Sequence, residues 1–216
     1  HFATVTQRGD NALGLLVTSH EGRPTKVEGN PSHPSSLGAT DARAQQMVWD
    51  LYDPDRSQGP AQFEGEEWVG KSYEEADAAF EAALQGNGQG LRVLVQPSTS
   101  PSQLRMQQKL LQRFPAAKIH YYAPWSSDEI REGTRLAFGQ PMVPVHDLAR
   151  ADVVLAVDSD FLSTDDGSVR NARGFAARRS IANPERDRMN RLFSVESTFS
   201  ITGANADHRL RLKPSM

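Results

Sequence analysis

Residues 91–122 read LRVLVQPSTSPSQLRMQQKLLQRFPAAKIHYY, and this stretch decides the fold class. Leu91 to Gln96 is an apolar, β-type run, and Pro97 to Pro101 ends it. A helix then runs to Phe114 with Leu104, Leu111 and Phe114 on one face, and Lys118 to Tyr122 returns to a strand pattern. Strand, helix of this length and strand again make a βαβ unit, whose two strands run parallel. The pattern continues outward with a helix expected over 126–139, a third strand over Asp152–Val157 and a fourth over Arg191–Val195. The fold class is therefore α/β, a parallel Rossmann-like sheet with flanking helices.

Toward the N-terminus the periodicity changes. Residues 13–19 and Thr25–Glu28 read as two short strands joined by the turn signal His20-Glu-Gly-Arg-Pro24, a β-hairpin. Residues 29–70 are rich in Pro, Gly, Ser and Asp, with one apolar patch, Met47 to Tyr52, that reads as a short helix. An irregular stretch this long either wraps a surface or site, or serves as a flexible connector; the first reading is preferred. Ser72-Tyr-Glu-Glu75 has capping-box form, and Tyr73, Ala76, Phe80 and Ala83 follow at helical spacing, which predicts an amphipathic helix over 73–84. The organisation expected is a hairpin and irregular lobe over 1–70 and an α/β domain over 71–216. Strand-like segments lie close to both termini, so the chain is expected to be a piece of a longer polypeptide.

A chain of 216 residues can bury roughly 70% of its unfolded surface, enough for one ordinary core or two small lobes. With 38% hydrophobic and 24% charged residues and a net charge of −3, composition favours neither disorder nor a nucleic-acid partner. The absence of cysteine excludes a thiolate-held iron–sulfur cluster, a Cys-rich zinc site and a disulfide within this stretch. No run approaches the ~18 consecutive apolar residues of a membrane helix, and the N-terminus has no basic region followed by an apolar one.

Glu21 to Arg43, EGRPTKVEGNPSHPSSLGATDAR, resembles the front of a molybdopterin oxidoreductase. In that superfamily a segment of the form D-G-R-x-x-K-x-x-G-N-x-x-H-P-x-x-x-G-x-x-C-x-K-G carries the last cysteine ligand of a [4Fe–4S] cluster. Gly22, Arg23, Lys26, Gly29, Asn30, His33, Pro34 and Gly38 fall where the pattern puts them. Asp41 stands at the cysteine position, and Arg43 where the family has a lysine on the electron path between cluster and pterin. A hard carboxylate is a poor substitute for a thiolate on a cluster iron.

Three further blocks follow in the family's order. Leu51-Tyr-Asp-Pro-Asp-Arg56 resembles a Pro-x-Arg step, and Trp68 with Ser72 to Leu84 resembles the helix that begins W-x-E-A. Ala151 to Phe161 resembles the strand ending in G-S-N-P that cradles a phosphate or sugar of the pterin dinucleotide, with Asp158, Ser159, Asp160 and Phe161 in the cradle positions. Asp158 adds bulk and negative charge there, which disfavours a phosphate. The last block, V-D-P-R-x-T-x-T-A-x-x-A-D-x-x-L-x-I-x-P-G, aligns without a gap to VESTFSITGANADHRLRLKPS over Val195–Ser215. Thr202, Ala206, Asp207, Leu210 and Pro214 are kept, while the nucleotide-contacting aspartate is Glu196 and the arginine is Thr198.

The wording of these blocks is most similar to one branch, the cofactor-less N-terminal domain of the large iron–sulfur subunit of alternative complex III, a Tat-variant-translocated molybdopterin oxidoreductase. The resemblance implies a non-catalytic scaffold domain of a respiratory quinol:acceptor complex. It implies no cofactor in this stretch, iron–sulfur clusters on a C-terminal domain of the parent chain, and a place on the periplasmic face of the bacterial inner membrane. The implied partners are cytochrome c and quinol-oxidising membrane subunits, with no nucleic acid and no direct membrane span. Asp41, Arg43, Asp158, Ser159, Asp160, Glu196 and Thr198 are then vestigial cleft positions, with no catalytic residue and no metal ligand expected. Two alternatives stay open: a subunit that still binds molybdopterin, and a nucleotide-binding α/β domain with its site at the sheet's C-terminal crevice.

Other constellations are weaker. The histidines at 1, 20, 33, 120, 146 and 208 show no metal-ligand spacing, and His33 reads as a structural hydrogen-bonder in its loop. Asp158, Asp160, Asp165 and Asp166 suggest a divalent cation, yet they lack EF-hand spacing and read better as exposed acids. Arg170, Arg173, Arg178, Arg179, Arg186 and Arg188 could grip a phosphate or an acidic partner; the preferred reading is a solvated helix balanced by Asp165, Asp166, Glu185 and Asp187. Gly86-Asn-Gly-Gln-Gly90 precedes a strand instead of following one, so it reads as a turn.

Overall fold

A computed structural model describes residues 1–9, 11–124 and 128–215. The chain forms a mixed α/β structure in two compact units, residues 1–46 with 127–216, and residues 47–126.

The first unit opens with an antiparallel sheet in the order β1 (Phe2–Arg8), β2 (Asn11–His20), β3 (Arg23–Gly29). The expected hairpin is present and longer than its apolar centre, and β1 adds a third strand to it. His20 pairs with Arg23 across Glu21 and Gly22, whose φ values of 50° and 81° are the double positive pair that a two-residue hairpin turn requires. Leu13, Leu15 and Val27 point inward on alternating positions and are buried. The loop that follows lies against this sheet: Asn30 N–H donates to the Gly14 carbonyl (2.9 Å), and Gly38 N–H to the Asn30 carbonyl (3.2 Å). A Cβ at Gly14 would sit 2.2 Å from His33 Cγ, and one at Gly29 would sit 2.0 Å from the Ala39 carbonyl oxygen. Residues 30–40 are thus a hydrogen-bonded wrap over β2 and β3, which answers the choice between wrap and connector for this part of 29–70.

Later in the same unit come α4 (Asp128–Phe138), a short 3₁₀ turn (Leu148–Arg150), β8 (Val153–Val157), α5 (Ser168–Ala177), β9 (Arg191–Glu196), α6 (Ile201–Ala204) and β10 (His208–Arg211). Positions 126 and 127 of the expected helix lie outside the described residues. β8, β9 and β10 form a parallel sheet in the order β10-β9-β8. Its core joins Ala156, Leu192, Phe161 and Phe175, the two phenyl rings meeting edge to face at 5.7 Å, with Leu148, Val154, Leu162 and Ala206 packed around them.

Helix α1 (Ala42–Tyr52) leads into the second unit, which holds the hairpin β4 (Ala61–Glu64) and β5 (Glu67–Gly70), then α2 (Tyr73–Ala83), β6 (Arg92–Val95), α3 (Pro101–Arg113) and β7 (Lys118–Tyr121). The hairpin was hidden in the Gly- and Pro-rich stretch. Around α2 the capping box forms as read: Glu75 N–H donates to Ser72 Oγ (3.1 Å), and Ser72 N–H to Glu75 Oε2 (2.8 Å). Helix α3 starts with Pro101 in its first turn behind the Ser100 cap, and β6 and β7 pair in parallel on either side of it in sequence.

Candidate functional site at the ends of the parallel strands

In an open parallel sheet the C-terminal ends of the strands are the default ligand crevice. Five of the seven positions singled out from sequence gather there in the first unit: Asp158, Ser159 and Asp160 just after β8, Glu196 at the end of β9, and Thr198 two residues on. Asp158 adopts φ 48°, a left-handed conformation that aspartate tolerates better than most residues. Its carboxylate accepts from Ser197 N–H (3.1 Å) and Ser197 Oγ (3.0 Å), while its own N–H donates to the Val195 carbonyl (2.7 Å). Ser159 Oγ donates to Asp165 Oδ2 (2.5 Å). Asp160 Oδ1 accepts from Thr202 N–H (2.9 Å) and Thr202 Oγ1 (2.8 Å), and Thr202 Oγ1 accepts from Leu162 N–H (3.1 Å). Thr198 is exposed.

Glu196 is the buried charge of the group, 4% exposed. Its carboxylate accepts from Ser200 Oγ (2.5 Å), Ser200 N–H (3.3 Å) and Arg209 Nε (2.5 Å), and the Arg209 guanidinium stacks on Phe199 at 4.7 Å. Burial pushes this carboxyl up, and the hydrogen bonds from Ser200 and Arg209 outweigh it, leaving the acid below the ordinary glutamate range. Ser200 Oγ in turn accepts from Gly203 N–H (2.9 Å) as the cap of α6. The space for Glu196 exists only because residue 203 is glycine: a Cβ there would lie 1.9 Å from Glu196 Oε1. Sequence reading singled out Glu196 and missed Gly203, Ser200 and Arg209, although the glycine stands at an alanine position of the resembled pattern.

Asp41 and Arg43 sit at the start of α1, not on the segments that follow β8 and β9. Asp41 is the N-cap of α1: Ala44 N–H donates to its Oδ1 (2.8 Å) and Gln45 N–H to its carbonyl (3.1 Å). Arg43 is exposed on the first turn of α1. Asp41 lines a small depression together with Asn11, Ser35, Asp165, Asp166 and Ser168. A thiolate-bound cluster does not fit this donor set, since the carboxylate is already committed to a helix cap. In the crevice the carboxylates of Asp158, Asp160 and Glu196 each accept hydrogen bonds from their own chain and bring negative charge beside the hydroxyls of Ser159 and Thr198, which opposes a phosphate there. Among the described residues no group of three or more His, Asp or Glu side chains could hold a metal ion.

Three arginines of the arginine-rich stretch make fold contacts. Arg178 hydrogen-bonds Asp152, Arg173 donates to the Leu37 carbonyl (2.6 Å), and Arg179 pairs with Asp207 (2.5 Å) while stacking on Phe175. The acids that pair with Arg178 and Arg179 are Asp152 and Asp207, which lie outside the stretch. His33 accepts from Ser35 N–H through Nδ1 (3.3 Å) inside its loop.

No family model matches the chain. Over 178 residues, 82% of the chain, it is 25% identical to the menaquinone reductase, molybdopterin-binding-like subunit of Nitratidesulfovibrio vulgaris (strain Hildenborough). Over 66 residues, 31% of the chain, it is 35% identical to the probable oxidoreductase YyaE of Bacillus subtilis (strain 168). The chain has a molybdopterin oxidoreductase-like relationship. It spans 26% of the length of the first relative and 10% of the second. Among the described residues no helix is long and apolar enough to cross a membrane.

Proposed function

We propose that this chain is a non-catalytic, molybdopterin-enzyme-like scaffold domain of a quinone-linked respiratory electron-transfer complex. The observation that carries the reading is the internal commitment of the ligand-position carboxylates: Asp41 caps α1, Asp158 holds Ser197, and Glu196 fills the space beside Gly203 with Arg209 as its counter-ion. Each makes a hydrogen bond that stabilises the fold, and each would have to give it up to serve a cofactor. The similarity to a menaquinone reductase subunit named as molybdopterin-binding-like supports the quinone link. On this reading the domain holds no cofactor, electrons pass through iron–sulfur clusters on a C-terminal domain of the parent chain, and cytochrome c and quinol-oxidising membrane subunits are its partners. The block wording most similar to the alternative complex III subunit supports that branch and, with it, the periplasmic face of the inner membrane.

Metal analysis and an oxidised-pterin fluorescence assay on purified protein test the reading. Molybdenum, tungsten and pterin are expected far below one per chain, and a stoichiometric amount of any of them would overturn it. Affinity capture from membranes is expected to bring down cytochrome and membrane subunits; a nucleotide-binding domain would instead come down alone and show saturable nucleotide binding.

A further inference from the structure

Of the asparagines in the chain only Asn87 precedes a glycine; Asn11, Asn171 and Asn205 precede alanine, Asn30 and Asn183 proline, and Asn190 arginine. The difference is chemical. The backbone nitrogen that follows an asparagine can attack that asparagine's own amide carbon, and any side chain on the following residue hinders the approach. Asn87 and Gly88 lie in the turn between α2 and β6.

Two backbone donors act on the groups that would react. Gln89 N–H donates to Asn87 Oδ1 (3.1 Å), which polarises the side-chain carbonyl and meets the negative charge that builds on its oxygen under attack. Ala116 N–H donates to the Asn87 main-chain carbonyl (3.0 Å). That bond draws electrons from the peptide unit whose nitrogen is the nucleophile, and so eases the loss of its proton. The nitrogen belongs to Gly88, whose N–H has no acceptor among the described residues. Asn87 is exposed, so water and hydroxide reach its amide and ammonia can leave. Residue 88 must be glycine for the turn itself: its φ is 81°, and a Cβ there would lie 2.6 Å from Phe114 Cβ. The fold therefore keeps the attacking nitrogen free of a side chain.

We propose that Asn87 is a modification site, at which the turn converts asparagine to aspartate and isoaspartate without an enzyme. Hydroxide takes the Gly88 N–H proton, and the nitrogen bonds to Asn87 Cγ. The Cγ–Nδ2 bond breaks, and ammonia leaves with a proton from water, which closes a succinimide. Water then opens the ring: cleavage of the new C–N bond gives aspartate, and cleavage of the original peptide C–N bond gives isoaspartate. Either product places a negative charge in the stretch from Ala82 to Ser127, which has no Asp or Glu. Isoaspartate also reroutes the main chain through Cβ, one carbon longer, and takes the carbonyl that Ala116 N–H binds out of the backbone.

The test is to incubate the wild-type chain in mildly alkaline buffer, folded and in parallel in concentrated urea. Peptide mass spectrometry follows every asparagine, and a protein isoaspartyl methyltransferase with a radiolabelled methyl donor marks isoaspartate. Asn87 is expected to convert ahead of every other asparagine, at a rate that rises in proportion to hydroxide and is no slower in the folded chain than in urea. Asn87→Gln should lose the label and keep the wild-type circular-dichroism spectrum. Conversion of another asparagine first, or a label undiminished in Asn87→Gln, would overturn the proposal. So would a folded chain that converts more slowly than the unfolded one, since the turn would then be shielding the amide.

Discussion

Replacing Gly203 by alanine tests the packing of the crevice most directly. The new Cβ would meet Glu196 Oε1 at 1.9 Å, Cδ at 2.5 Å and Oε2 at 2.6 Å, all closer than real Cβ contacts come. Glu196 is buried, so its carboxylate must leave its place, and the bonds from Ser200 and Arg209 loosen with it. Overpacking costs about 1–3 kcal/mol, and a weakened charged hydrogen bond adds about 1.5 kcal/mol or more. The expected destabilisation is about 3–4 kcal/mol, or a fall of about 1–2 M in the urea midpoint. Glu196→Asp shortens the acid by one methylene and should by itself cost about 1–2 kcal/mol through longer bonds to Arg209 and Ser200. In the double variant the shorter acid gives the new methyl its space, so the two losses should fall short of their sum by at least about 1.5 kcal/mol. Urea unfolding of all four proteins, followed by far-ultraviolet circular dichroism, measures the coupling. Additive losses, or an alanine variant within about 0.5 kcal/mol of wild type, would refute the argument.

Asp41→Ala should cost about 1 kcal/mol by removing the cap of α1, and Asp41→Asn should recover most of it, since asparagine caps equally well; equal losses in both, read from urea midpoints, would contradict the cap. Asp158→Ala should cost about 2 kcal/mol, from the lost bonds to Ser197 and from alanine at φ 48°, while Asp158→Gly should be about 1 kcal/mol milder because glycine is unstrained there. Asp207 is held below the ordinary aspartate range first by the Leu192 N–H and then by Arg179, with burial opposing. Its folded value is depressed, so its stabilisation is complete above the unfolded aspartate value and is lost as pH falls through the folded one. Asp207→Asn should therefore be less stable by about 2–3 kcal/mol at pH 7, and the gap should close as the pH is taken below about 4; a gap independent of pH between 7 and 3 would sink this assignment.

Elements with strong periodicity were legible from sequence because local and tertiary preferences agree. The strand and helix patterns of 91–122 became β6, α3 and β7, and the capping box at Ser72 became the start of α2. The hairpin β4–β5 was not legible, since Gln62, Phe63, Trp68 and Val69 sit between glycines with too short an alternation to stand out. The wrap was the preferred reading of 29–70, but what residues 30–40 lie against was not legible, because a glycine in a strand, such as Gly14 or Gly29, announces a close approach without naming what approaches. The partners of Arg178 and Arg179 were hidden for a similar reason: Asp152 and Asp207 lie 26 and 28 residues away in sequence.

The candidate site shows why a substituted ligand position is hard to interpret one residue at a time. Glu196 alone reads as an acidic handle made one methylene longer, which leaves open whether it still faces a ligand. Gly203 decides how that length is used, because the missing methyl is the volume the longer carboxylate occupies, and Arg209 neutralises the charge where it lands. Asp160 and Thr202 make the same point from the other side: the threonine kept from the resembled pattern, itself fully buried, serves the fold by donating to Asp160 and accepting from the Leu162 N–H. Carboxylates that have each acquired an internal donor can be released to a ligand only at a cost of about 1.5–3 kcal/mol per charged bond. Several such bonds fall in one crevice, where they tie the ends of β8 and β9 to α6.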